Sequence, residues 1–504
     1  MRNTSLHAAS FAASATGMGQ GEIIAAVLVA RHGVRGPYGM MQDHPDMAEL
    51  RPYAPNMSFA LDMRSWSIRE WQGLTGKGVR FLHDMAKANL RRYRALLKAE
   101  GTVPKCARLL ATPDTDARNL ESSAHYISAL LGLDKSLLTT DMMMLRQATS
   151  FGGTIANCAN LTRRAPAHSL RQGGAALPGL PVKCATGTER DLANLNPHHG
   201  RLAVMHRIQP HLERISRVLG CCAPELCAGG QWRAQAPCSI VDLPVGWSPR
   251  WWETYEGPLS VGFYFSELFL LQALNGMAVA SGKLSPAEAM ADAAPVLSAS
   301  YALAWNEHNA RAHGSALAAY VLQLLRFAAT QAEGQRLTYV SSHDVNILYL
   351  KHLLGVSWKL AGWPADFPML GGALAFELIR NAAGDAFVKV AYEAPIAPWL
   401  RSSSGPKVER DWLTVPACAK WARAHGCPLA RFVSLLADAT SPECVADSSL
   451  RTLLLDVRPR SATIGDMEGH TKDRSRRYDD RGQPPWVLLL IVQLLGCISD
   501  TLLG

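Results

Sequence analysis

Residues Arg31-His32-Gly33-Val34-Arg35-Gly36-Pro37 put two guanidiniums and an imidazole into one short segment. Arginines this close repel each other unless an anion lies between them, and the planar guanidinium fork suits an oxyanion such as phosphate. An unprotonated imidazole beside that anion is a nucleophile. The segment follows Ile23-Ile24-Ala25-Ala26-Val27-Leu28-Val29-Ala30 directly. That run is short, rich in β-branched residues and free of polar alternation, which predicts a strand buried on both faces. Such strands belong to parallel sheets, whose ligands collect outside the carboxyl ends of the strands.

Two further segments repeat the arrangement. Arg336-Leu337-Thr338-Tyr339-Val340-Ser341 reads as a strand and runs into Ser342-His343-Asp344-Val345-Asn346. Ile347 to Leu354 then has helical spacing and stops at Gly355. His343 and Asp344 therefore lie close to a helix N-terminus, whose free N–H groups favour anions. Cys106 to Ala111 is a shorter apolar run. After it, Thr112-Pro113-Asp114-Thr115-Asp116-Ala117-Arg118 brings an arginine into a helix expected over Asn119–Leu131. Three separate strand ends thus offer Arg, His and Asp side chains to one place.

On these residues the chain resembles the histidine acid phosphatases, in the branch that holds bacterial phytases and periplasmic glucose-1-phosphatases. The RHGxRxP signature is matched in full by Arg31, His32, Gly33, Arg35 and Pro37, and the distal HD pair by His343 and Asp344. Looser matches are the stretch around Arg118, the segment Trp252 to Met277 with its Ser266-Glu267-Leu268, and Gly371 to Glu377. The likeness runs from about Glu22 to Cys444.

The resemblance implies a role for each residue. His32 attacks phosphorus and forms a phosphohistidine, which water hydrolyses. Arg31, Arg35, Arg118 and His343 hold the phosphate oxygens, and Asp344 protonates the leaving group. An aspartic acid must be protonated to do so, which implies an acidic working range. Arg31 and Arg35 are expected to depress the imidazole pKa below its ordinary value of about 6.5. Neither metal nor cofactor is implied, because the guanidiniums supply the positive charge; the implied partner is a small-molecule phosphomonoester. Rival readings are a phosphotransferase or mutase of the same superfamily, which typically pairs RHG with a glutamate and a later histidine, and a non-catalytic phosphate-ligand binder.

Departures from the pattern bear on the substrate. Tyr38 and Gly39 stand where the phytases carry a threonine and a lysine, and Val345 replaces a threonine of the distal motif. Tyr38 suits stacking on a sugar or aryl group, or else packs on a neighbouring loop. Glu267 resembles a residue that contacts substrate hydroxyls, with a helix-face salt bridge as the alternative. Phytate and a smaller sugar phosphate both remain open.

With 504 residues, 48 % hydrophobic and 18 % charged, the composition is that of a globular protein. The net charge of +9 attracts anionic esters. No Lys/Arg cluster interleaved with aromatics points to nucleic acid, and Arg91-Arg92-Tyr93-Arg94 is expected to face solvent. Eleven cysteines are many for a reducing compartment. The resemblance implies disulfides Cys418–Cys427, Cys227–Cys238 and Cys158–Cys444, hence a periplasmic or secreted protein. Zinc binding by Cys221, Cys222, Cys227 and Cys238 is the rival reading, poorly matched to paired knuckle spacing.

The fold class expected is α/β: a mostly parallel open sheet flanked by helices, with an inserted, largely helical lid domain. Residues 21–145 and 318–445 form the core and 146–317 the lid, with helical stretches Leu259 to Ala280 and Pro286 to Leu325. Ala373 to Arg380 and Ala386 to Tyr392 form a hairpin at the sheet edge. Residues 1–20 read as a short signal or a disordered tail. Residues 446–504 lie outside the resemblance. Their Arg- and Asp-rich part reads as a disordered linker, and Trp486 to Leu495 is too short to span a bilayer. That apolar end could anchor peripherally to a membrane, dock as a helix, or lie past the natural end of the protein. Oligomeric state is not legible.

Overall fold

The computed structural model describes residues 21–38, 63–97, 108–114, 116–132, 201–220, 239–246, 255–331, 335–400, 407–422 and 426–458. Strand β1 (Glu22–Arg31) carries the apolar run. In chain order follow α1 (Gly76–Tyr93), β2 (Leu109–Pro113) and α2 (Ala117–Leu131). Helices α3 (Arg201–Leu219), α4 (Pro258–Asn275), α5 (Pro286–Ala304), α6 (Glu307–His313) and α7 (Ser315–Thr330) precede β3 (Leu337–Ser342). Then come α8 (Asp344–Leu354), β4 (Ala373–Arg380), β5 (Ala386–Pro395), β6 (Val408–Leu413), β7 (Cys427–Pro428), α9 (Leu429–Ala439) and α10 (Ser448–Val457).

The strands form one open sheet in the order β2-β3-β1-β4-β5-β6, with β7 also on β5. The expected parallel part is β2, β3 and β1. The antiparallel part is larger than an edge hairpin, since β4 pairs antiparallel with β1 and β5, and β5 with β6 and β7. The apolar run of β1 is explained by two cores. Ala26, Leu28 and Ala30 pack with Met85 and Tyr93 of α1 and Tyr126 and Leu130 of α2. Ala25, Val27 and Val29 share the opposite core with Leu322 and Leu325 of α7. A strand covered on both faces has no polar positions to show.

Register assembles the site. Arg31 at the end of β1 lies beside Ser342 at the end of β3, and Pro113 at the end of β2 lies beside Ser341. The residues at these strand ends are therefore neighbours: His32 N donates to Ser342 O at 2.9 Å, and Asp114 N to Ser341 O at 2.8 Å.

Two helical expectations are interrupted for local reasons. The stretch Leu259 to Ala280 stops at Gly276, whose φ of +69° caps α4 in the left-handed conformation. The stretch Pro286 to Leu325 breaks after Ala304, where the Asn306 side chain accepts from Asn309 N and starts α6. Helix α10 continues the fold past 446: Asp447 caps it, and Leu450 and Leu454 are buried on its inner face. No helix among the described residues is long and apolar enough to cross a membrane. The Cys418–Cys427 disulfide is present. Cys444 is also disulfide-bonded, while Cys158, Cys227 and Cys238 lie outside the described residues. So do Cys221, Cys222, residues 1–20 and residues 459–504.

The basic patch on α1 does not all face water. Arg92 Nη2 donates to Glu377 Oε2 at 2.7 Å, and the buried Tyr93 hydroxyl to Glu377 Oε1 at 2.8 Å. Arg410 of β6 joins Glu377 at 2.6 Å and also pairs with Glu393 of β5, while Asn89 donates to Glu393 at 2.8 Å. Burial alone would push the Glu377 carboxyl up; Arg92, Arg410 and Tyr93 outweigh it and hold it below 4.5. A depressed folded-state pKa stabilises above the unfolded value and is lost as pH falls through the folded one. Glu377→Gln, which leaves both arginines without this carboxylate, should cost about 3 kcal/mol. Chemical denaturation across the acid range should also show a flatter loss of stability below pH 4.5 than in the wild type. Equal stability and equal pH dependence would contradict this role.

Candidate active site

His32 leaves β1 fully buried, its Nδ1 2.9 Å from Gly33 O. That contact places the proton on Nδ1 and leaves the Nε2 lone pair available. The His343 ring stands edge-on to it, centroids 5.4 Å apart and planes at 72°. Burial first, then Arg118, His343, Arg31 and Arg35, push the His32 imidazole well below 6.5. The direction is the one expected, but desolvation leads, and Arg118 acts before the two arginines of the signature.

Each guanidinium is matched to carboxylates. Arg31 Nη2 is 3.1 Å from Glu267 Oε1 and 2.7 Å from Asp344 Oδ2, and its Nη1 donates to Pro368 O at 2.9 Å. Arg35 Nη2 is 2.7 Å from Glu267 Oε2. Arg118 Nη2 is 2.7 Å from Asp116 Oδ2 and 3.4 Å from His343 Nδ1, while Nη1 donates to Gln72 Oε1. On the other edge of His343, Nε2 lies 3.1 Å from Asp114, 3.4 Å from Asp116 and 2.9 Å from Asn119 Nδ2. Asn119 is itself held by the Ser341 hydroxyl at 3.1 Å.

Helix ends and turns position these groups. His343 N donates to Asn346 Oδ1 at 3.0 Å, fixing the start of α8 and, next to it, Asp344. Gly33 N donates to Ser122 Oγ, which donates back to Arg118 O, so the turn after β1 is tied to α2. On the far side α1 lies directly on this turn. Thr75 N donates to Val34 O at 3.0 Å, and a Cβ at Gly78 would stand 2.0 Å from that oxygen. Only glycine permits this approach.

Arg31, His32, Arg35, Arg118, His343 and Asp344 thus come together. Glu267 joins them from α4, where it bridges both arginines of the signature rather than pairing along its own helix face. Tyr38 packs with one ring face 3.9 Å from the Arg35 guanidinium, and Tyr264 donates to its carbonyl at 3.5 Å. That face is therefore taken. Sequence reasoning missed Gln72, Asp114, Asp116, Asn119 and Ser122; the two aspartates lie in the stretch that pointed to Arg118, where spacing alone cannot assign partners. The arrangement offers a buried nucleophilic imidazole, three cations able to take an oxyanion in exchange for their carboxylates, and an acid ion-paired to one of them.

Removing Glu267 tests this matching of charge. Glu267→Ala should destabilise the protein by about 3 kcal/mol, because two buried guanidiniums lose their common partner. Saturating inorganic phosphate should recover part of that loss in denaturation experiments. A variant as stable as the wild type would contradict it.

No protein-family model matches the chain, and neither does any curated protein. Solved structures do. The apo phytase of Hafnia alvei superposes with a TM-score of 0.64 at 18 % identity, covering 86 % of this chain and 100 % of that one. The phytase of Citrobacter braakii gives 0.62 at 18 %, covering 84 % and 100 %. The phytase of Klebsiella sp. ASR1 gives 0.58 at 17 %, covering 86 % and 98 %. The chain has the fold of these bacterial phytases.

Proposed function

We propose that the protein is an acid phosphatase of the histidine type, hydrolysing phosphomonoesters of sugars or inositols through a phosphohistidine. The observation that carries this reading is the His32 imidazole, neutral and buried, set among three guanidiniums and a second histidine. In this reading His32 Nε2 attacks phosphorus. Arg31, Arg35, Arg118 and His343 take the equatorial oxygens, and Asp344 turns from Arg31 to protonate the leaving oxygen. Dividing the displacement into two steps needs no other nucleophile than water for the second. The phytase fold supports the reading, and a Hafnia alvei phytase in complex with myo-inositol hexakis sulphate shows an inositol polyanion held on it. Residues 21–145 and 318–445 supply the catalytic core and 146–317 the lid. The disulfide Cys418–Cys427 supports a periplasmic or secreted location.

His32→Ala should abolish hydrolysis of p-nitrophenyl phosphate, and EDTA should leave the wild-type rate intact. Hydrolysis that survives the alanine substitution would overturn the nucleophile. The pH profile carries a second expectation. A histidine pKa lowered by folding keeps the imidazole neutral below its ordinary 6.5. The acid limb of kcat/KM assigned to His32 should therefore lie well below pH 6.5. An acid limb at the ordinary histidine value would contradict the burial of this group.

A further inference from the structure

Tyr301, in the last turn of α5, has no part in the arrangement above. It is 7 % exposed. Its ring stacks on Trp305, centroids 4.9 Å apart and planes at 19°, with Phe263 at 6.0 Å and Phe367 at 6.2 Å. Aromatic neighbours on several sides fix the ring, so the direction of the hydroxyl is set by packing. That hydroxyl makes no hydrogen bond to any described residue. A hydroxyl that has no such partner is available to donate to a bound ligand. Phe367 precedes Pro368, whose carbonyl accepts from Arg31, and Phe263 lies one turn before Glu267 on α4, so the ring stands beside this cluster. The charged groups that act on it most are Arg31, Asp344 and Glu267. These stand on the side of the site that holds the acid, whereas Arg118 and the inner edge of His343 are tied to Asp116, Asp114 and Gln72. Burial pushes the phenol well above its ordinary value, so it remains a donor throughout the working range.

We propose that Tyr301 donates a hydrogen bond to the leaving-group oxygen of the ester. The inference rests on the phosphatase reading. As the bond from His32 Nε2 to phosphorus forms, the bond from phosphorus to the leaving oxygen breaks and its electron pair moves onto that oxygen. Asp344 delivers the proton that makes it an alcohol. Tyr301 keeps its own proton and stabilises the charge that builds before the transfer is complete. Such a donor is worth more in the transition state than in the ground state, where the bridging oxygen is a poor acceptor.

The consequence is a dependence on how much charge the leaving oxygen develops. Phenyl phosphate and p-nitrophenyl phosphate have nearly the same shape, but the nitro group already disperses the charge. Tyr301→Phe keeps the ring and its stacking. Its kcat/KM, which reports the phosphorylation step, should fall about tenfold for phenyl phosphate and less than about twofold for p-nitrophenyl phosphate. The ratio of the two does not depend on how much of the variant is folded. Equal losses on both esters, or no loss on either, would overturn the assignment of Tyr301 while leaving the phosphatase reading in place. A wild-type protein that hydrolyses neither ester would overturn the phosphatase reading itself, and this assignment with it.

Discussion

Three like charges buried beside one imidazole are the constraint around which the rest of this molecule is arranged. Each guanidinium costs several kcal/mol to take out of water, and each repels the others. The chain meets this with carboxylates from elsewhere in the fold: Glu267 from α4 for Arg31 and Arg35, Asp344 from α8 for Arg31, and Asp116 ahead of α2 for Arg118. The same pairs that make the resting site tolerable are those an anion would exchange. In the proposed reading, because Asp344 is one of them, an arriving phosphate would free this carboxyl beside the leaving oxygen. Binding and general acid catalysis would then be coupled through a single guanidinium.

The positions of these charges follow from backbone geometry. Parallel pairing of β2, β3 and β1 brings their carboxyl ends to one edge, and register sets Arg31, Ser342 and Pro113 side by side. The antiparallel half of the sheet contributes at a distance. Glu377 and Glu393 hold Arg92 and Asn89 of α1 against β4, β5 and β6. The other end of α1 is pressed onto Val34 through Thr75 and Gly78. One helix thereby connects a buried ion-pair network in the antiparallel strands to the turn that carries His32 and Arg35. A loosened network would be felt at His32.

How much of this was legible in the sequence depends on the range of the interaction. The strands at Ile23 to Ala30 and Arg336 to Ser341, the helix after Asp344 and the hairpin at Ala373 were readable, since apolar periodicity and glycine stops are local signals. So were the six charged and imidazole groups of the site, because each lies next to a strand end. What was not readable is partnership. Glu267 is 232 residues from Arg35, and a carboxylate on an apolar helix says nothing of which cation it meets. Arg92 and Tyr93 looked like a solvated face, because the glutamate they bind comes from a strand 285 and 284 residues away. The Asn306 cap and the break before α6 were hidden inside a long run of good helix formers.

The covalent intermediate tests the central claim most directly. Brief reaction with a ³²P-labelled phosphomonoester, quenching in denaturant and mapping of the labelled peptide should place an acid-labile, base-stable phosphoryl group on His32. Steady hydrolysis with no label on that residue, or with label on another, would contradict the account.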